Sequence, residues 1–365
     1  MHQLAIESLT ARGFRNLEPL EISLGPGFNV FAGDNGQGKT NLLEAVYLLA
    51  TSRSFRTGRL LELVAHGQEA AAVRAAVVEE GIRREQSVGL RRGLRAARID
   101  GKRPASLAAY AVNTPVVAFH PGSVTLSTGS GAERRRVLDR IALYREPGVL
   151  GAVEAYAKAL RSRQRVLEQR GEHSRDLDDW EDLLVRHGQA LRAHREAAAA
   201  ELGPAVEAAF LAIGPEGSEL AVRYAPGGPA GEEAFRAALV RDRARDQARR
   251  SASVGPHRDD LVLELNARPV RGVASQGQHR AVVLALHLAE IDVVARARSV
   301  RPILLLDDVS SELDRGRTDA LLRALSNRSG QVLLTTTRPE LMEIGRLREG
   351  SRRDFRVIAG QIAVA

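Results

Sequence analysis

Gly33-Asp34-Asn35-Gly36-Gln37-Gly38-Lys39-Thr40 satisfies the spacing G-x-x-x-x-G-K-[ST] without a mismatch. Its glycines permit a tight loop, so that backbone N–H groups can surround phosphates at the N-terminus of a following helix. The chemistry open to such a loop is the binding of a nucleoside triphosphate, with ATP the expected cofactor. Lys39 would set a compact charge between the β- and γ-phosphates, Thr40 would offer its hydroxyl to Mg2+, and Asn41 continues the site onto the helix. Lys39, Lys102 and Lys158 are the lysines among 53 basic residues, so this arginine-rich chain places an ammonium, not a planar fork, at the one spacing that asks for it.

A second chemical element sits far along the chain. Ile303 to Leu306 is an apolar run ending in Asp307-Asp308, a buried strand that delivers two carboxylates at its C-terminal end, which is where open α/β sheets bind ligands. Asp307 suits the Mg2+ shell beside Thr40. Asp308 is placed to position or deprotonate an attacking water, so Lys39, Asp307 and Asp308 form the expected catalytic set. Two acids at a strand end are common on their own; together with a complete phosphate loop they read as a hydrolytic site. The third element is Ser275-Gln276-Gly277-Gln278-His279-Arg280, just before a helical stretch. Ser275, Gly277 and Gln278 at a helix N-terminus make an anion site, with N–H groups and dipole directed outward. A second phosphate cradle has little use in cis if Lys39 already holds the γ-phosphate, and this argues for two copies sharing two nucleotides.

The elements that must position these groups follow from patterning. Leu4 to Leu9 alternates, Leu20 to Leu24 follows, and Phe28 to Ala32 reads as a short buried strand before the phosphate loop. Lys39 to Ala50 reads as a helix. Residues 70 to 100 suggest a strand pair with turns at Gly81 and Gly93, and Val116 to Phe119 a further strand. From about Ala132 to Arg250 the chain is mostly Ala, Leu, Arg and Glu and reads as helical, with breaks at Gly203-Pro204 and at Tyr224 to Gly231. Heptads do not persist there, so a compact lobe is expected and not a long coiled coil. Strand signals return at Leu261 to Leu265, a helix spans about Gln278 to Val294, and Gln331 to Thr335 is the last clear strand. The expected fold class is α/β: a head built from both chain ends, residues 1–122 and 252–365, with a mainly α-helical lobe inserted at 123–251.

Composition narrows the classes. Cysteine is absent, which excludes a disulfide framework and thiolate metal sites and accords with a reducing cytoplasm. No apolar run approaches bilayer length and the N-terminus lacks the layout of a secretory signal, so no membrane association and a cytoplasmic location are expected. A net charge of +8 favours a polyanionic partner, although a general preference for arginine over lysine would raise the charge without one.

The order of these elements resembles the head domains of ABC-type ATPases, in which the Ser-Gly segment of one subunit covers the nucleotide held by the other. Ser311-Glu312-Leu313-Asp314 is similar to the loop those ATPases place across the dimer interface. Within that class the resemblance narrows to the RecF family of bacterial recombination and gap-repair ATPases, relatives of the SMC heads. It is carried by Arg12-Gly13-Phe14-Arg15-Asn16-Leu17, by the continuation Thr40-Asn41-Leu42-Leu43-Glu44-Ala45, by Glu133-Arg134-Arg135-Arg136 with Leu138-Asp139, by Gly255-Pro256-His257-Arg258-Asp259-Asp260, and by Ser275 to Arg280. It covers nearly the whole chain and is weakest from about 145 to 250. Two departures from most ABC-type ATPases stand out. The second acid is Asp308 in place of Glu, a shorter base that implies slow hydrolysis. Thr336-Thr337 stands where transporters place a His on the γ-phosphate, which makes Thr336 the candidate sensor, and His120 is the candidate for the glutamine loop.

The resemblance implies an ATP-dependent homodimer that binds DNA, preferentially duplex next to single-stranded gaps, at the nucleoid. It also implies partnership with RecR and, through RecO and RecR, the loading of RecA. From the residues come arginines that could neutralise phosphates: Arg53 and Arg56, Arg83 and Arg84, Arg91-Arg92, and Arg134 to Arg136. Arg134 to Arg136 could instead pair with Glu133 and Asp139, and Arg161, Arg163 and Arg165 read as a solvated helix face. Aromatic residues make up 4% of the chain, too few for a base-stacking platform. A transporter ATPase, an SMC-like tether and a metabolite kinase are the rival classes. The arginine-rich lobe, the lack of heptads and the unexplained Ser275 segment respectively speak against them.

Overall fold

The computed structural model describes residues 1–308, 325, 330–339 and 352–365. Two compact units divide the chain, one from Met1–Ser123 and Glu290–Ala365, the other from Val124–Ala289. In the first unit the chain forms β1 (Leu4–Arg12), β2 (Leu20–Ser23), β3 (Phe28–Ala32), α1 (Lys39–Thr51), β4 (Ala70–Glu79), β5 (Ile82–Arg91), β6 (Leu94–Ile99), α2 (Leu107–Ala111) and β7 (Val116–Phe119). The second contains α3 (Thr125–Thr128), α4 (Gly131–Arg145), α5 (Val149–Arg170), α6 (Asp176–Ile213), β8 (Leu220–Ala225), α7 (Glu232–Arg241), α8 (Arg243–Arg249), β9 (Asp260–Leu265), β10 (Arg268–Pro269) and α9 (Val270–Val273). Helix α10 (Gln276–Arg298) carries the chain onward to β11 (Ile303–Leu306), β12 (Val332–Thr336), β13 (Arg352–Ile358) and β14 (Gln361–Val364).

Two sheets build the first unit. Strands β14-β13-β3-β12-β11-β7 form one, in which all neighbours are parallel except the β13–β14 hairpin at one edge. Strands β2-β1-β4-β5-β6 form an antiparallel second sheet. Helix α1 packs on β4 and β5 of the antiparallel sheet and on β7, β11 and β12 of the parallel one. That position explains why Leu42, Leu43, Ala45, Val46, Leu48, Leu49 and Ala50 are all buried and the helix lacks a polar face. The run from 70 to 100 makes three strands where a pair is expected, because Gly81 and Gly93 each close a tight turn at positive φ, 78° and 76°. Beyond β12 the chain adds β13 and β14, short alternating segments whose arginines (Arg352, Arg353, Arg356) mask their strand pattern.

In the second unit α6 runs 38 residues straight through Gly203-Pro204, where the sequence suggests a break. The reason is packing. Helix α6 packs along β8, with Gly203 facing Val222. Buried Leu202, Val206, Ala209 and Phe210 offset the proline, which costs about 3 kcal/mol in a helix interior. Strand β8 pairs with β9 in full register from Leu220–Leu265 to Ala225–Asp260. This pairing draws residues beyond 251 into the second unit, whose end lies at Ala289.

Charges hold this unit together from inside. Asp259 accepts from Arg195 at 3.0 Å, from the Tyr224 hydroxyl at 2.6 Å and from the Gly227 N–H at 2.8 Å. Arg195 also forks onto Asp139 at 2.7 and 3.0 Å. Arg134 forks onto Asp260 at 2.7 and 2.8 Å, and Arg135 donates to the Asp259 carbonyl. Arg134 and Arg135 are therefore internal struts and not a phosphate-contact surface, and of the three arginines Arg136 alone pairs with Glu133. Gly255, at φ 128°, presses on Tyr156, whose hydroxyl meets His257 Nδ1 at 2.7 Å, so the Gly255-Pro256-His257 motif locks a loop to α5. Arg163 is 1% exposed and not on a solvated face: it bridges Glu181 at 2.9 Å and Asp246 at 2.7 Å. Replacing it by Met leaves those carboxylates short of a cation, and a loss of about 3–5 kcal/mol is expected. The check is urea unfolding followed by Trp180, the single tryptophan, which lies in α6 beside Glu181; an unshifted midpoint would show that the pair contributes nothing net.

Candidate nucleotide site

The phosphate loop leaves β3 and enters α1 at Gly38, whose φ of 108° only glycine adopts without strain. Gly33 is required for a second reason: a Cβ there would lie 2.3 Å from the Val357 carbonyl oxygen of β13. Asp34, Asn35 and Gly36 form the exposed crest, and Gly36 turns at φ 81°. Lys39 is buried, with Nζ donating to the carbonyls of Gly33 at 2.6 Å and Asp34 at 2.8 Å. Burial pushes its ammonium below the ordinary lysine range, against the opposing pull of Asp308, Asp307 and Asp34.

The two acids reach the loop. The parallel register β11–β12–β3 brings the end of β11 beside the start of the loop. There the Thr40 hydroxyl lies 2.9 Å from both Asp307 carboxylate oxygens. Thr335 adds a third tie, its hydroxyl donating to Asp307 Oδ1 at 2.8 Å while accepting from the Asp308 N–H at 2.9 Å. Asp308 stands at φ 49°, a left-handed conformation that turns the chain directly after Asp307. Burial raises the Asp307 pKa above the ordinary carboxylate value; the hydrogen bonds from Thr335 and Thr40 oppose this, Asp308 adds to it, and Arg56 opposes it. Thr335, which the sequence does not single out, reaches both acids. Thr336 is fully buried, with its hydroxyl accepting from the Arg338 N–H at 2.9 Å. The sequence signal for Thr335 is faint: a hydroxyl at the carboxyl end of an apolar strand.

A polar chain behind the loop escapes sequence reasoning. Glu44, fully buried on α1, accepts a fork from Arg15 at 3.0 and 2.9 Å, a bond from the Ser54 hydroxyl at 2.5 Å and one from Arg56 at 3.3 Å. Arg56 also donates to Asn41 at 2.7 Å, Asn41 to Asn16 at 2.6 Å, and Asn16 to the Gly36 carbonyl at 3.2 Å. The motif residues Arg15, Asn16, Asn41 and Glu44 thus form one hydrogen-bonded run from the crest of the loop into the core. The sequence signal for it is a glutamate set among apolar residues one turn after Thr40. His120 stacks on Phe55 with ring centroids 4.8 Å apart, and Phe55 meets Tyr47 of α1 edge-on.

The segment expected to be a second phosphate cradle is built as a capping box. Gln278 N–H donates to the Ser275 hydroxyl at 3.3 Å, while the Gln278 side chain accepts from the Ser275 N–H at 2.8 Å. Ser275 is exposed, and Gly277 and Gln278 are half-buried. His279 Nδ1 lies 3.0 Å from the Ser127 hydroxyl, and burial pushes its pKa down. Ser311 to Asp314 lie outside the described residues. Among the expected phosphate-contact arginines, Arg83 pairs with Glu7, Arg84 with Glu79 and Arg91 with Glu69. Arg53 and Arg92 are exposed.

The donor set fits a triphosphate with a hard cation. Loop N–H groups, the Lys39 ammonium and the Thr40–Asp307 oxygen pair are the groups such a ligand needs. Among the described residues no three His, Cys, Asp or Glu side chains gather to hold a metal unaided. Mg2+ takes one or two protein oxygens and completes its shell with phosphate and water, and the Thr40–Asp307 pair would supply those protein oxygens. None of the described helices is long and apolar enough to cross a membrane.

Comparison with known proteins agrees. The family described as RecF/RecN/SMC N terminal domain matches residues 5–351. The DNA replication and repair protein RecF of Anaeromyxobacter sp. (strain Fw109-5) is 42% identical over 345 residues, 92% of this chain and 93% of the relative. Its counterpart from Geobacter sp. (strain M21) is 38% identical over 363 residues, 97% of this chain and 98% of the relative. Among solved structures, the recombination mediator protein RecF with ATP, of the RecFOR pathway, superposes with a TM-score of 0.88 at 25% identity, covering 100% of this chain and 98% of the other. An SMC head bound to the C-winged helix domain of ScpA gives 0.53 at 15% identity, covering 99% and 96%, a likeness of fold. The chain belongs to the RecF/RecN/SMC N-terminal domain family and, within it, to the RecF proteins.

Proposed function

We propose that this chain is an ATP-gated DNA clamp of recombinational and replication-gap repair. The observation that carries the reading is the Thr40–Asp307–Thr335–Asp308 chain, which couples the phosphate loop to two acids from the other end of the sequence. Residues 1–122 and 252–365 act as the ATPase head and 123–251 as the helical lobe, with residues 252–289 of the head's sequence packing in the second unit. Gly33 to Asn41 hold ATP. Thr40 and Asp307 would hold Mg2+, which when bound would supply positive charge to the triphosphate. Lys39 stabilises negative charge building on the transferring phosphoryl group, and Asp308 orients water for attack and takes its proton.

Ser275, Gly277 and Gln278 of a second copy complete the site, so ATP closes a homodimer on duplex DNA beside a single-stranded gap. Slow hydrolysis reopens it. RecF relatives carry names tied to DNA replication and repair and to the RecFOR pathway. This supports RecR and RecO as partners, and RecA loading is the outcome proposed for that partnership. Arg53 and Arg92, exposed on the first unit, are the first residues to test for phosphate contact.

Anisotropy of a labelled gapped duplex, with and without Mg-ATP, tests the reading. Affinity tighter by about tenfold or more with ATP, at a steep protein dependence, supports the clamp; equal affinity refutes nucleotide gating. Ser275→Arg keeps ATP binding but abolishes the ATP-dependent dimer in sedimentation, and a normal dimer would sink the trans arrangement. Asp308→Asn lowers kcat about 100-fold or more and prolongs the dimer; unchanged turnover removes that acid from catalysis.

The raised pKa of Asp307 gives a pH sign. Below that pKa the group is protonated and cannot ligate Mg2+, so Mg-ATP affinity falls as pH drops into the acidic range. The unliganded fold carries the opposite sign: this group favours it below the unfolded carboxylate value and ceases to as pH rises through the folded one. Asp307→Asn should therefore melt no lower than wild type at neutral pH while losing Mg-dependent ATP binding; a markedly lower melting temperature would mean the carboxylate is structural.

A further inference from the structure

The C-terminal hairpin touches the phosphate loop at three points. Strands β13 and β14 are joined by Ala359-Gly360, in register Ile358–Gln361, with φ of 47° and 82°. In a two-residue turn with both central residues at positive φ, the two central N–H groups point away from the ladder and need outside acceptors. Both find Gln37. The Ala359 N–H donates to its side-chain oxygen, and the Gly360 N–H donates to its backbone carbonyl at 2.9 Å.

One glycine of the loop presses on the same hairpin and a second lies in ordinary contact with it. A Cβ on Gly33 would meet the Val357 carbonyl at 2.3 Å, and one on Gly38 would lie 3.5 Å from Gly360 Cα. On its other side Gly360 would, with a Cβ, strike the Asn16 carbonyl at 2.1 Å, while its own carbonyl accepts from the Glu18 N–H at 3.1 Å. The turn is thus wedged between the loop and the segment after β1. The hairpin itself is fixed by β13 pairing with β3 and by Phe355 stacking on Phe31 at 4.7 Å.

We infer that the Ala359–Gly360 turn is a latch for the phosphate loop and that Gln37 is its positioning residue, holding the loop open for the β- and γ-phosphates. The inference rests on ATP binding at Gly33–Thr40. Loop N–H groups bind phosphate only when they converge, and a loop free to relax must be ordered again at each binding event. The motif spacing leaves position 37 open to any residue; here its side chain is the acceptor that the turn requires.

The test is Gln37→Met in the full chain, which keeps length and volume but removes the acceptor. Its Kd for a fluorescent ATP analogue rises about five- to tenfold, the size of one lost hydrogen bond, and KM rises in parallel with a smaller fall in kcat. Hydrogen exchange over residues 33–41 quickens, while the rest of β3 and α1 exchanges as before. Ala359→Gly keeps the N–H and suits positive φ, so its Kd stays within about twofold of wild type. Lys39→Ala is run alongside. If it abolishes binding while Gln37→Met changes neither Kd nor exchange, the latch is refuted and the site stands. If Lys39→Ala retains tight binding, the site itself is refuted and the latch falls with it.

Discussion

Everything at the nucleotide site depends on where β3 lies. It is hydrogen-bonded on one side to β12 and on the other to β13, both from the far end of the chain, and it opens directly into the phosphate loop. Parallel pairing of this kind pays loop-closure entropy over some 300 residues before any contact rewards it. The fold meets that cost with strands buried on both faces and with α1 packed between two sheets. The consequence is chemical. The carboxyl ends of β3, β11 and β12 meet, so an ammonium, a hydroxyl and two carboxylates converge without any loop reaching across solvent.

The second unit solves a different problem. Its helices are rich in Arg and Glu and offer less apolar surface than β3 or α1, and its interior is tied by Arg163, Arg195 and Arg134, each forked or bridged onto acids from distant segments. Buried ion pairs add little net stability against a well-packed apolar core, but removing one member is severe, so they act best as registration devices. Arg195 illustrates this: it joins α4 through Asp139, the loop before β9 through Pro256 and Asp259, and α6, its own helix. Only one alignment of those three elements satisfies its donors. The short strand β8 and the long α6 are held against each other by the same logic, with Glu207 accepting the Val222 N–H at 2.9 Å.

These differences explain what the sequence discloses. The phosphate loop, the acid pair and the capping Ser275 are legible because each is a local pattern whose chemistry needs fixed spacing. The helical lobe is legible as helix but not as architecture: Gly203-Pro204 reads as a break until β8 is seen packing on it, and Arg163 reads as solvated until Glu181 and Asp246 close around it. Thr335 is hidden in a run of three threonines where only register tells which hydroxyl faces the acids. The hairpin of β13 and β14 is hidden because Arg352, Arg353, Asp354 and Arg356 break up the apolar pattern of β13, and its role against Gln37 rests on backbone donors that no side-chain pattern encodes.

The electrostatics of the site give a reason for nucleotide to matter structurally. Burial shifts Lys39 downward and Asp307 upward, each toward its neutral form, even though each has an opposite charge near by. The site therefore bears charges that its surroundings solvate poorly. Under the proposed function, a ligand that brings phosphate oxygens to Lys39 and a divalent cation to Asp307 would relieve both penalties at once, and neither partner alone would do so. Binding of the pair would then be favoured over binding of either, because phosphate without the cation would leave Asp307 and Asp308 facing added negative charge. Thr40 lies at the junction of the two effects, on the first turn of α1 and 2.9 Å from Asp307. A change in the charge state at Asp307 would act through that hydroxyl on the helix that begins the loop's own support, one of the hydrogen-bonded routes by which occupancy of the site would bear on the geometry of its frame.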